Sequence, residues 1–280
     1  MRIRIVKMEI DCLIKNLLYN YKMKIFISYV YYKSPSSDYN LRYFIENEIK
    51  YRTNVFYSIV INGKKVSCDI PKLSNVNVIY RDNIGYDFGG HQASLQAINK
   101  DMFDYFFFMN SGVIGPILKN KNKEWYSQFT NKITKKVKLV GTTIVCLPHK
   151  DRGGFGPKVE GFFFLLDRVG LKLVLENGTI FYNHKTKVDT ILNGEYSLSK
   201  CIINHGYTID CMLGKYQNID WYDRKNYYMN GNKHPSRKNS YFGKSIDPFE
   251  VIFHKWFWHG KPYVSLDVIE KYTKIKFSLK

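Results

Sequence analysis

The chain has 280 residues, of which 45% are hydrophobic and 24% are charged, and its formal net charge is +19. This composition can bury a sizeable core, which excludes a mainly disordered chain, and no apolar run approaches the roughly 20 residues that cross a bilayer. The charge would attract polyanions, nucleotides, phospholipid surfaces or acidic glycans. Most lysines are nevertheless scattered singly, as in a sequence that is simply rich in Lys, Asn, Ile and Tyr. Charge alone therefore does not choose a partner.

Residues 1–22 form an N-terminal extension with helical apolar spacing over 9–21, and its interspersed charges make it a poor signal peptide. The five cysteines lie far apart without C-x-x-C spacing, which argues against a disulfide framework and a zinc ribbon. We therefore expect a cytoplasmic protein without a transmembrane segment. A peripheral membrane contact through the extension stays open.

Short β-rich runs alternate with helical patterns in the next part of the chain. Strands are predicted at 24–31, 55–61, 76–80, 105–109, 137–147 and 161–166, and helices at 41–49, 91–98 and 125–133. This alternation predicts a parallel, doubly wound sheet. Ligands of such sheets bind beyond the carboxyl ends of the strands, which places 28–31, 81–90 and 110–116 around one crevice. Residues 223–245 are predicted to form a long surface loop or lid.

Two polar stretches follow predicted strands. Asn83, Gly85 and Asp87 lie in a Gly-rich segment that opens a helix, where backbone N–H groups favour anions, although a structural turn explains the glycines at least as well. Asn110 and Ser111 end the fourth strand. Neutral side chains are poor ligands for hard cations on their own, so this motif does not imply a metal.

Two further stretches lie nearer the C-terminus. Glu195 follows Gly194 before a helix-like run. It could act as a general base, but the pattern alone favours a Glu that stabilises a helix dipole. His254 and Lys255 could hold phosphates or a metal, whereas a His among aromatic residues is more often a packed core residue.

Taken together, five motifs in this order resemble those of GT-A-fold glycosyltransferases. They are N-x-G-x-D at 83–87, F-x-N-S-x-V-x-G-P at 108–116, V-G-T-T at 140–143, V-E-G-F-F at 159–163, and G-E-x-x-L-S at 194–199 with G-Y at 206–207. The resemblance covers roughly residues 24–256. It is closest to the glycosyltransferase domains encoded by large DNA viruses of algae and amoebae and to rhamnan-synthesis-type proteins.

The resemblance implies one α/β domain of the GT-A (Rossmann-like) type over residues 23–245, with a mostly parallel central sheet flanked by helices. The aromatic and basic segment 246–280 is expected to pack on it. It also implies a nucleotide-sugar donor and a glycan or glycoside acceptor, without specific nucleic acid. The implied donor-binding residues are Ser28, Tyr29, Asn83, Gly85, Asp87, Asn110, Ser111, His254 and Lys255; Glu160 and Gly161 are implied for the acceptor, and Glu195 for the catalytic base.

The chain departs from the family's pattern at three positions. Asn110 and Gly112 replace two carboxylates that hold a divalent cation in many nucleotide-sugar enzymes, and Tyr196 replaces a second acidic residue beside the base. We therefore expect at most weak dependence on Mn²⁺ or Mg²⁺, with Asp87 and His254 as the candidate ligands. Activity itself is also in question.

Three functions stay open. The first is a hexosyl- or deoxyhexosyltransferase that works by direct displacement with a Glu base. The second is a pseudoenzyme that binds a glycan or nucleotide without turnover. The third is a basic nucleic-acid-binding protein, which no helix-turn-helix, zinc finger or RNP motif supports.

Overall fold

The computed structural model describes residues 22–34, 36–258, 261–262 and 266–274, so the helix predicted at 9–21 lies outside it. The strands are β1 (Ile25–Tyr31), β2 (Val55–Asn62), β3 (Val76–Arg81), β4 (Tyr105–Asn110), β5 (Val137–Gly141), β6 (Ile144–Asp151), β7 (Gly154–Val159), β8 (Phe163–Asp167), β9 (Thr208–Cys211), β10 (Phe257–Trp258) and β11 (Lys261–Pro262). The α-helices are α1 (Ser37–Glu48), α2 (Tyr86–Gln96), α3 (Trp125–Thr130), α4 (Arg168–Asn177), α5 (Lys187–Asp189), α6 (Ser197–Asn204), α7 (Pro248–Val251) and α8 (Leu266–Thr273). A π-helical turn (Thr190–Tyr196) joins α5 to α6, and short 3-10 turns lie at Lys100–Met102, Gly214–Tyr216 and within Arg224–Asn232.

Seven strands form the central sheet in the order β3-β2-β1-β4-β8-β5-β9. All neighbours in it are parallel except β8, which is antiparallel to both β4 and β5. The predicted fold class, an α/β protein with a mostly parallel central sheet flanked by helices, is confirmed. The fully parallel sheet that simple alternation suggested is wrong at β8.

Both faces of the sheet are buried, which explains why its central strands are almost continuously apolar. Successive side chains of a strand point to opposite faces. Phe106 of β4 accordingly packs in a cluster with residues of α2, α4 and α6, whereas Phe107 packs in a second cluster with residues of α1 and α3.

Four predicted elements have clearly different bounds in the structure, and one of them is the helix predicted at 41–49, which spans Ser37–Glu48. The strand predicted at 137–147 is two strands, because Thr142 and Thr143 separate β5 from β6 and β6 turns away to pair with β7. The helix predicted at 91–98 begins earlier, at Tyr86, since Gly85 takes the left-handed conformation (φ +72°) that caps it. The helix predicted at 125–133 ends at Thr130.

The segment after α7 contacts the sheet layer at defined points. His254 forms an antiparallel bridge with Ile114, and Trp256 Nε1 donates to Asn40 Oδ1 of α1 at 2.9 Å. Over the described ranges, no helix has the length and apolarity needed to cross a membrane.

Candidate functional site

A cavity of about 470 Å³ lies beyond the carboxyl ends of β1, β2 and β4. Its lining is rich in charge of both signs. The acidic residues are Asp87, Asp151, Glu160 and Glu195, and the basic residues are Arg152, Lys158, Lys187, His234, Arg237 and Lys255. This is the edge at which a parallel sheet binds ligands, and all three segments predicted to surround a crevice contribute to its lining, with Val30 from the first, Asp87 from the second and Asn110 from the third.

The loop between β3 and α2 is held rigidly in place. Asn62 Nδ2 donates to Asn83 Oδ1 (3.1 Å) and to the Tyr86 carbonyl (2.8 Å). A Cβ at Gly85 would lie 2.4 Å from the Asn183 Cα, so only glycine allows this close approach. Gly85 therefore allows the loop to pack closely against Asn183, while Asn83 lines the cavity.

Asp87 and Asn110 meet where α2 begins and β4 ends. Asn110 Nδ2 donates to Asp87 Oδ2 at 2.7 Å, and Asn110 Oδ1 accepts from the Gly112 N–H at 2.9 Å. Burial raises the pKa of Asp87, and the bond from Asn110 opposes that rise. Both ends of the Asn110 amide are thus engaged within the protein.

Lys255 reaches this point because the bridge between His254 and Ile114 sets its backbone beside the turn after β4. Lys255 Nζ lies 2.8 Å from the place where a Cβ on Gly112 would stand, and 5.4 Å from the centre of the Phe162 ring. Burial lowers the pKa of Lys255, whereas the charges of Glu160, Asp87 and Glu195 oppose that change.

The opposite wall holds a buried ion-pair network. Lys158 Nζ donates to Glu195 Oε2 at 2.7 Å and lies 3.6 Å from Glu160 Oε1. His234 Nδ1 lies 3.8 Å from the same Glu160 oxygen. The side chains of Lys158 and Glu160 are 4% exposed, whereas that of Glu195 is 20% exposed. Glu195 is therefore the member of the network that a ligand can reach.

The pKa values of the two carboxylates in this network are shifted in opposite directions. Burial would raise the pKa of Glu160, but His234, Lys158 and Lys255 outweigh it and lower the pKa to about 2. Burial raises the pKa of Glu195, and Glu160 and Asp87 add to that rise while Lys158 opposes it. Glu160 is hence a fixed anion, and Glu195 is the carboxylate better suited to take up a proton.

The sequence pattern suggested that Glu195 starts a helix, but in the structure it does not. It lies inside the π-helical turn of one continuous helical segment from α5 to α6, so the helix-dipole explanation for this residue fails. A Cβ on Gly161 would stand 2.8 Å from Glu195 Cγ and 3.0 Å from Phe88 Cε2. Gly161 thus leaves the room in which the Glu195 side chain lies.

Gly85 and Gly161 adjoin lining residues without lining the cavity themselves, and three other predicted site residues also lie outside the lining. Ser28 is fully buried in β1, where its hydroxyl bonds to His91 Nδ1 (2.8 Å) and donates to Ser94 Oγ (2.9 Å). Tyr29 points to the other face and stacks on Phe44. His254 is 1% exposed, and burial lowers its pKa to about 4, so it carries no charge at neutral pH. We leave all three out of the site.

Sequence reasoning missed the basic residues Arg152, Lys158, Lys187, His234 and Arg237. Lys158 had a signal: it stands two residues before Glu160 in an otherwise apolar run, and residues two apart share one face of a strand. His234 and Arg237 come from the stretch predicted to be a lid, which the structure brings to the cavity.

The donor set around Asn110 does not fit a divalent cation. In the part of the chain that the structure describes, no three His, Cys, Asp or Glu side chains converge as a metal site. Hard cations take carboxylate and carbonyl oxygens, but the Asn110 carbonyl oxygen accepts from Gly112 and an ammonium group lies beside Gly112. No metal is therefore assigned to this site.

No family model matches the chain, and no curated protein matches it significantly. Among solved structures, it is similar to the mannosyltransferase PcManGT from Pyrobaculum calidifontis, solved with GDP-Man and Mn²⁺, with 9% identity, 69% of this chain and 55% of that chain covered, and a TM-score of 0.43. It is also similar to S. aureus TarS 1–349, with 12% identity, coverage of 65% and 56%, and a TM-score of 0.37. The chain spans little more than half the length of either. At TM-scores below 0.5, neither similarity bears on function.

Proposed function

We propose that the protein is a glycosyltransferase that moves a hexosyl or deoxyhexosyl group from a nucleotide sugar to a hydroxyl of a glycan or glycoside. One observation carries this proposal: a reachable carboxylate with a raised pKa, Glu195, shares a cavity with a set of cationic side chains at the carboxyl edge of the sheet. A carboxylate base and a cationic environment are the two things that sugar transfer from a diphosphate requires.

The reaction is a direct displacement. The acceptor oxygen forms a bond to the anomeric carbon while the bond from that carbon to the diphosphate oxygen breaks. The acceptor proton goes to Glu195, and the electron pair of the broken bond leaves with the nucleoside diphosphate. The cationic side chains of the cavity stabilise the charge that develops on the diphosphate, which is normally a large contribution to catalysis.

The residues divide between donor and acceptor by position. Asn83, Asp87, Asn110 and Ser111 lie at the strand ends and would hold the nucleotide. Glu160 and Gly161 lie beside Glu195, so they would shape the acceptor side. The closer resemblance to viral and rhamnan-synthesis-type enzymes rests on the sequence motifs alone.

A second candidate is a nucleotide-binding protein without turnover. The observation that favours it is the bond from Lys158 to Glu195 Oε2, since a base already paired with an ammonium group is a weaker proton acceptor. Among the described residues, however, no hydrogen bond reaches the other oxygen, Oε1. That oxygen is the one we assign to the acceptor proton.

Glu195→Gln tests the proposal because it removes the base and keeps the size of the side chain. A thermal-shift screen of UDP-, GDP- and dTDP-sugars first identifies the donor, since a ligand of the native state raises the melting temperature. With that donor and a panel of glycosides, release of the nucleoside diphosphate should fall ~10²-fold or more in the variant. Donor affinity should change little.

The pH profile adds a second readout. Because only the ionised carboxylate accepts a proton, the wild-type rate should fall as pH falls through the raised pKa of Glu195, and the residual rate of Glu195→Gln should lack that limb. Glu176→Gln is the control, since Glu176 is exposed on α4. A variant that binds and transfers like the wild type would refute the role of Glu195, and donor binding without any turnover would favour the second candidate.

A further inference from the structure

The turn after β4 is filled by a lysine rather than by a carboxylate. Gly112 has no Cβ, and Lys255 Nζ lies 2.8 Å from the position that a Cβ would take. A side chain at 112 would require Lys255 Nζ and Asn110 Oδ1, each 2.8 Å from that position, to shift. Because Gly112 has no side chain, the Lys255 ammonium group can lie at this turn.

The neighbouring amide supports the same reading of the site. Asn110 uses its NH₂ group on Asp87 and its oxygen on the Gly112 N–H. A cation on this oxygen would share it with the Gly112 N–H and would lie next to the Lys255 ammonium group. Like charges at such separations repel strongly where water is excluded.

Lys255 is held where a phosphate would meet it. The bridge between His254 and Ile114 fixes its backbone, and its ammonium group lies over the Phe162 ring at 5.4 Å. Both Phe162 and Lys255 line the cavity at the carboxyl edge of the sheet. An ammonium group is a compact cation that pairs well with phosphate oxygens.

We propose that Lys255 Nζ binds the diphosphate of the donor directly, in the place that a divalent cation would otherwise take. This inference rests on the proposed function. Lys255 supplies a single positive charge, and Arg152, Lys187 and Arg237 of the same cavity supply the rest. Diphosphate binding by this protein is consequently independent of metal.

The experiment measures the affinity of UDP, GDP and inorganic pyrophosphate by calorimetry, in EDTA and in MnCl₂. The wild-type affinity should agree between the two buffers within about threefold. In EDTA, Lys255→Met should lower the affinity at least tenfold, as expected for the loss of a hydrogen bond to a charged group. Lys138→Met is the matched control, because Lys138 is a buried lysine, paired with Asp167, that does not line the cavity.

Each outcome decides the matter. Affinity that is lost in EDTA and restored by Mn²⁺ overturns the inference and leaves the proposed function standing. A folded Lys255→Met that binds like the wild type also overturns it. Absence of binding for all three probes in both buffers overturns the proposed function, and this inference with it. The wild-type comparison needs no variant, so the test holds even if Lys255→Met does not fold.

Discussion

The two walls of the cavity each contain a buried lysine, and the two lysines are placed in opposite electrostatic situations. Burial alone would lower the pKa of Lys158, but the bonded Glu195 and nearby Glu160 outweigh it and raise the pKa above its usual value. The pKa of Lys255 is lowered, because burial outweighs the carboxylates around it. An anion bound beside Lys255 would raise the pKa of Lys255 back toward its usual value.

From this difference we propose that Lys158 positions Glu195, whereas Lys255 binds the ligand. Lys158 holds Glu195 in place at 2.7 Å, and its charge is balanced within the protein. Lys255 lies at the end of the sheet beside the turn of Gly112, where a ligand can reach the cavity. Residue type alone does not tell the two apart; the contacts do.

Lys158→Met should have the largest effect, and we expect that effect on the stability of the fold. It leaves Glu195 and Glu160 buried without their shared partner, and removal of one member of a buried ion pair costs roughly 3–5 kcal/mol. The free energy of unfolding in urea should fall by about this amount. It should fall less in Lys138→Met, since the side chains of Lys138 and its partner Asp167 are more exposed.

A double variant checks the cause of this loss. Lys158→Met with Glu195→Gln should be more stable than Lys158→Met alone, because the second change removes one of the unpaired charges. If the double variant were the less stable of the two, the loss would come from packing of the lysine stem and not from its charge.

Gly161→Ala tests how strongly transfer depends on the position of the Glu195 side chain. Its Cβ would stand 2.8 Å from Glu195 Cγ, so the carboxylate must shift. A misplacement of about 1 Å can cost ~10²-fold in rate, and we expect a fall of that order in transfer with unchanged nucleotide affinity. Gly214→Ala is the control, since its Cβ would approach only Glu250 Oε1, at 3.3 Å. If Gly161→Ala lowered nucleotide affinity as much as it lowered the rate of transfer, the separate roles assigned to Glu195 and Lys255 would be contradicted.

Asp87→Ala should have the smallest effect. The nucleotide loses a hydrogen-bond acceptor and Asn110 loses its partner at 2.7 Å, so we expect UDP or GDP to bind about tenfold more weakly in a folded variant. Pyrophosphate should bind as before, because we place Asp87 against the nucleoside. Asp82→Ala is the control on the same loop, exposed and outside the cavity lining. Weaker pyrophosphate binding would mean that Asp87 acts through Lys255 instead.

The sheet was predictable because its central strands are apolar runs separated by helical patterns, as at 105–109 and 125–133. The direction of β8 was not, since an apolar strand has the same appearance in either direction. The hairpin of β6 and β7 was missed for a related reason: Thr142 and Thr143 interrupt the apolar pattern too briefly to indicate that the chain leaves the sheet.

The candidate site was predictable at the strand ends and much less so elsewhere. Asp87 and Asn110 follow strands directly, so sheet geometry brings them together. Lys158, His234 and Arg237 join them only through the packing of segments distant in the chain, which local patterns do not encode. Ser28 and Tyr29 were misplaced because a polar residue in a strand can serve a buried hydrogen-bond network as readily as a cavity.

The π-helical turn at Thr190–Tyr196 gives this cavity a distinctive tolerance to insertion and deletion. A π turn accommodates about one residue more than an α turn, and each residue of an α-helix advances about 100° around the axis. Loss of one codon within this turn would restore regular α-geometry and keep Leu198 and Ile202 of α6 in the core, so the change would be confined to the side chains of the turn that line the cavity. A single in-frame deletion would thus alter the lining of this cavity without a change to the fold.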